Sequence, residues 1–70
     1  MDNNSQQTFT KPACKLIGTD GNVFNIIGKV SAALKDAGHA DKAEEFRDKA
    51  FVSGSYDEVL RLCEDYVEVE

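Results

Sequence analysis

The last five residues run Tyr66-Val67-Glu68-Val69-Glu70, and the alternation of valine with glutamate limits the possible folds more than any other stretch. A period of two belongs to a half-buried strand, with Val67 and Val69 inward and Glu68 and Glu70 outward. A strand by itself leaves backbone donors and acceptors unpaired, so this one needs a neighbour. The best other strand candidate is Ala13 to Gly18, where Cys14 and Leu16 share one side and Lys15 and Ile17 the other. The two chain ends are therefore expected to meet, with Lys15 opposite Glu68 as a cross-strand pair.

Between these strands the period is helical. From Asn22, a good N-cap, residues Val23, Ile26, Ile27, Val30, Ala33, Leu34 and Ala37 fall in one arc, and Gly38 suits the left-handed residue that ends a helix. A weaker helix spans about residues 40 to 51, with Ala43, Phe46 and Ala50 on one face and Ala40 and Phe51 at its margin. Its Arg47 falls inside the arc, where a long stem can lie along apolar surface. Ser55 and Glu58 form a capping box that starts a third helix, whose inward face carries Tyr56, Val59, Leu60, Cys63, Tyr66 and Val67. The expected fold is α+β, in the order β-α-α-α-β, with three amphipathic helices on a small two-stranded sheet. Helices running down, up and down, the last entering its strand without a turn, make that sheet antiparallel. Residues 1–12 read as a flexible tail and 13–70 as a single domain.

A chain of 70 residues buries only ~60% of the surface its unfolded form exposes, so few apolar side chains are free to line an active-site cavity. Apolar runs are too short for a membrane span or the core of a signal peptide. The expected setting is cytoplasmic, as a monomer or weak dimer. Net charge is −5, distributed as +1 over residues 1–40 and −6 over residues 41–70. The acidic half repels phosphate backbones and argues against direct nucleic-acid binding. Cys14 and Cys63 stand far apart with no CxxC spacing, as expected of two reduced, buried thiols.

The turn Gly18-Thr19-Asp20-Gly21-Asn22 invites a ligand reading, and each version fails. It lacks the lysine and the length of a P-loop, and Asp20 sets a negative charge where a phosphate would lie. A calcium loop needs oxygen ligands at alternating positions, where Phe24 and Ile26 stand. His39 is the sole histidine, so no Ser-His-Asp or Cys-His arrangement is in prospect, and no catalytic residue, metal or cofactor is assigned. The turn reads as a structural corner.

Phe24 resists that bland account. It lies about 100° from Val23, at or beyond the edge of the apolar arc, beside Gly28 and Ser31. Gly28 costs a helix ~1 kcal/mol relative to alanine and calls for a packing reason. Two readings stand side by side. Either a strand or the Thr8–Thr10 segment packs over Phe24 and Gly28, or Phe24 is an exposed anchor for a partner, with Asp20, Gly21 and Asn22 as the rest of the contact.

The stretches LIGTDGNVFNIIGKVSAALKDAG and SGSYDEVLRLCEDYVEV resemble a family of small bacterial and mobile-element proteins marked by a K-L-x-G-x-D-G-N-x-F turn and a later S-G-x-Y-D. The likeness covers Lys15 to Val69. That family carries no established activity, so the resemblance implies a compact α+β module and no catalytic residues to transfer. The functional expectation is a small non-enzymatic protein-interaction or accessory module with an unidentified protein partner. The alternative is an acidic decoy or regulator of a nucleic-acid-binding protein.

Overall fold

The structure, a computed structural model, describes residues 9–16 and 21–70. Five elements follow in order: β1 (Ala13–Cys14), α1 (Val23–Asp36), α2 (Ala40–Phe51), α3 (Tyr56–Tyr66) and β2 (Glu68–Val69).

Local chemistry accounts for each helix boundary. The Asn22 side chain accepts the Phe24 N–H at 2.8 Å and opens α1. At the other end Gly38 takes φ 87°, its N–H donates to Lys35, and the His39 N–H reaches back to the Leu34 carbonyl at 2.8 Å. Those two bonds are a Schellman closure, which only a left-handed residue permits without strain. Helix α2 lacks a side-chain cap at His39, whose imidazole instead meets the edge of Phe9 at 4.8 Å. Ser55 accepts the Glu58 N–H at 3.2 Å and starts α3. The reciprocal bond of this box goes one residue further back, from the Gly54 N–H to the Glu58 carboxylate at 2.8 Å.

One core joins the three helices. Val30, Leu34, Ala43, Phe46 and Cys63 are completely buried, with Val67 at 1% exposure. Phe46 packs edge-on against Tyr66 at 5.4 Å. The Tyr66 hydroxyl donates to the Glu45 carboxylate across the α2–α3 seam, and that bond holds the Glu45 carboxyl below its ordinary range. Lys49, one turn on, lies 3.6 Å from the same carboxylate, the i,i+4 pairing expected on an exposed helix face.

The strands meet, but their orientation corrects the sequence reading. β1 and β2 are parallel, not antiparallel, with Ala13 beside Glu68 and Cys14 beside Val69. The reason is the path of the helices. α1 begins near the start of α3, where Gly21 approaches the Tyr56 hydroxyl. Both helices then run toward the start of β1: α1 to where His39 meets Phe9, and α3 to where the Lys11 ammonium donates to the Glu64 carbonyl at 2.9 Å. The chain thus leaves α3 beside Pro12. Val67 takes extended angles (φ −139°, ψ 160°) immediately after the helix and reverses the direction of travel. A strand starting there can pair with β1 only in the same sense. The register also places Lys15 level with Glu70, not Glu68.

Three ladder bonds flank the paired residues: Glu68 N–H to Pro12 carbonyl (2.8 Å), Glu70 N–H to Cys14 carbonyl (2.9 Å) and Leu16 N–H to Glu70 carbonyl (2.7 Å). Pro12 has no amide hydrogen and joins this ladder as an acceptor, the one role open to it. Val67 points into the core, whereas Val69 is 40% exposed.

Cys14 and Cys63 are free and buried. Burial pushes the Cys63 thiol from its ordinary value of 9.0 up to about 11, and Cys14 adds to the rise. Burial raises Cys14 too, against the pull of Lys29. Between pH 9.0 and about 11 the folded chain retains a Cys63 proton that the unfolded chain releases. Stability is therefore whole below the lower value and declines as the pH climbs through the upper one. Urea midpoints are expected to fall across that window, and less steeply in Cys63→Ala. An identical slope in the variant would remove Cys63 as a cause.

Candidate functional site

Phe24 is the second residue of α1, held there by the Asn22 cap, and is 66% exposed. Phe51, the last residue of α2, is 59% exposed. Because α2 runs back along α1, the start of one helix lies beside the end of the other. The two rings come within 6.3 Å at a tilt of 37°, inside the range of aromatic pairing. The pair forms a ridge with an open hollow on each side.

The hollow toward α3 has a volume of about 280 Å³ and is walled by Val23, Ala50, Gly54, Tyr56 and Val59. Tyr56 is 44% exposed rather than turned fully inward. As the first residue of α3 it overhangs the end of the core. The second hollow, about 340 Å³, lies between α1 and α2 over Ile27, Gly28, Ser31 and Ala32, with Lys35 at its far end and Arg47 on the α2 side, one turn from Phe51. Arg47 thus borders a groove rather than a sealed core face, and its side of α2 is exposed.

Of the residues expected to meet a partner, Gly21, Asn22 and Phe24 are exposed, whereas Asp20 lies outside the described residues. Sequence reasoning missed Phe51. It lies at the margin of the α2 arc, where the helical period does not separate surface from core. Val52, 83% exposed, extends the same apolar edge.

The packing explanation for Phe24 and Gly28 finds no support among the described residues. Phe9 turns to His39 instead, and a methyl built on Gly28 meets nothing within 4 Å. Gly28→Ala is accordingly expected to stabilise the fold by about 1 kcal/mol, since helix propensity improves and no clash opposes it. A thermal melt checks this. A lower midpoint would mean that Gly28 is required by the fold itself.

Ser31, beside Gly28 on the groove floor, is 5% exposed, and its hydroxyl has no hydrogen-bond partner among the described residues. Elsewhere, among the described residues, no three His, Cys, Asp or Glu side chains gather as a metal site would require. No described helix is long and apolar enough to cross a membrane. Comparison with known proteins finds no matching family model, curated protein or solved structure, so the functional reading rests on this surface alone.

Proposed function

We propose that this chain is a small non-enzymatic protein-interaction module that engages its partner through Phe24 and Phe51. The observation carrying this reading is the side-by-side exposure of two phenylalanines from different helices. A small domain with a thin margin of stability has reason to bury such rings, and a pair left outside is the kind of aromatic anchor around which interfaces concentrate their binding energy. Asn22 and Gly21 set the first ring in place and form the edge of the contact. Two free, buried thiols fit a reducing compartment such as the cytoplasm.

The test compares the chain with its Phe24→Ser variant as bait in cells that naturally make it. The variant is expected to keep its circular dichroism spectrum and lose a partner that the parent captures. A partner held equally by both would overturn the reading.

A second reading has its own observation. Asp57, Glu58, Glu64 and Asp65 are all exposed on α3. They favour an acidic decoy that occupies the basic surface of a nucleic-acid-binding protein. DNA competing for the captured partner would support it; a partner indifferent to DNA would dismiss it.

A further inference from the structure

Building on the proposed role of the ridge, we infer that the groove beside it receives an acidic amphipathic helix from the partner protein. Three features of the groove converge on that class of ligand. Its long wall runs along α1 from Phe24 to Lys35 as a stripe of small residues, Gly28, Ser31 and Ala32, and Ile27, the one larger side chain lining it between them, is itself buried. From Phe24 to Lys35 the stripe spans about 16 Å at the helical rise, or roughly three turns of a docked helix. Low side chains allow a second helix axis to approach closely, and the empty space over Gly28 is where it would lie.

Charge supplies the second feature. Both charged residues lining the groove, Lys35 and Arg47, are cations, on a chain whose net charge is −5. They stand on separate helices, Arg47 one turn from Phe51 and Lys35 about three turns from Phe24. A ligand that satisfies the whole groove carries an aromatic or leucine side chain for Phe24 and Phe51, a carboxylate about one turn away for Arg47 and another about three turns away for Lys35. The third feature is the Ser31 hydroxyl on the floor, buried and without a partner among the described residues. A rotamer turn that brings it to the groove surface would let a polar atom of the ligand complete it.

The groove also explains Gly28. A glycine in mid-helix with no internal packing reason is costly to the fold, and it is accounted for if the position must stay low for an incoming chain.

The experiment is selection from a display library of random helical peptides against the full chain, followed by fluorescence anisotropy on a synthetic winner. Winners are expected to combine a large apolar residue with Asp or Glu. Lys35→Glu together with Arg47→Glu is expected to weaken the winner about tenfold, as two reversed rim charges would. Exchanging the peptide's carboxylates for lysine should restore binding to that double variant. Gly28→Leu is expected to keep or raise the melting temperature while abolishing binding, which separates a filled groove from a damaged fold. Lys29→Glu, outside the groove, serves as the control and should bind as the parent does.

Several results would overturn the inference. Winners without acidic residues, or unaffected by the double charge reversal, would sink the acidic ligand while loss of binding in Phe24→Ser left the ridge standing. Winners indifferent to Phe24→Ser, or no winners at all, would defeat both. Concentration-dependent self-association abolished by Gly28→Leu would identify a second copy of the chain as the occupant instead.

Discussion

Phe46→Ala is expected to leave the chain largely unfolded in dilute buffer at room temperature. The side chain is completely buried and braces Tyr66, so its removal opens a void where all three helices converge. Emptying such a site costs about 3–5 kcal/mol. A chain of 70 residues has about 4–10 kcal/mol in total at the usual stability per residue, and short domains sit at the low end. The loss is thus comparable with everything available. Truncating Phe24 or Phe51 removes a ring that is more than half exposed and is expected to cost about 1 kcal/mol. Urea unfolding followed by circular dichroism distinguishes the cases. A Phe46→Ala protein with a cooperative transition near that of the parent would show that the core lies elsewhere.

The second large effect concerns two neighbouring residues with opposite expectations. In a parallel pair, alternate residues of each strand face the partner. The Glu68 N–H donates to Pro12 and the Glu70 N–H to Cys14, which leaves the Val69 N–H turned away from β1. Glu68→Pro deletes a ladder donor, orphans the Pro12 carbonyl and disturbs the bonds that follow, for an expected loss of about 2–3 kcal/mol. Val69→Pro, on the side that makes no ladder bond, is expected to cost about 1 kcal/mol or less. Equal losses, or the reverse order, would mean that strand direction or register is not as described. Accessibility of the Cys14 thiol to a sulfhydryl reagent gives a second readout, since the paired strand covers that residue.

Helix boundaries were legible in the sequence because they depend on chemistry within one turn. Asn22, Gly38 and Ser55 each act on a backbone group a few residues away, and each marks the end expected of it. The meeting of the two terminal segments was also legible, since the demand of an unpaired strand for a neighbour is visible in composition. Strand direction was not. It depends on where three helices deliver the chain and on the backbone angles of Val67, and a hydrophobic period reports which face is buried without reporting where the helix leads. The one-pair shift that puts Lys15 by Glu70 has the same origin. At the candidate site, Phe24 stood out because it broke the pattern of its own helix. Phe51 did not, because it lay at the margin of the α2 arc, where the wheel cannot separate core from surface. Its meaning comes from a neighbour on α1, and such proximity belongs to tertiary structure.

The parallel arrangement of β1 and β2 has a mechanical consequence. The chain approaches β1 at the Pro12 end of the ladder and leaves β2 at the Leu16 end. Traction applied to residues 9 and 70 therefore slides one strand along the other, so the bonds share the load, whereas an antiparallel pair would peel open one bond at a time. Resistance to stretching in this chain is set by that short ladder, and resistance to urea by the helical core, so a set of variants ranked by one need not keep its order under the other.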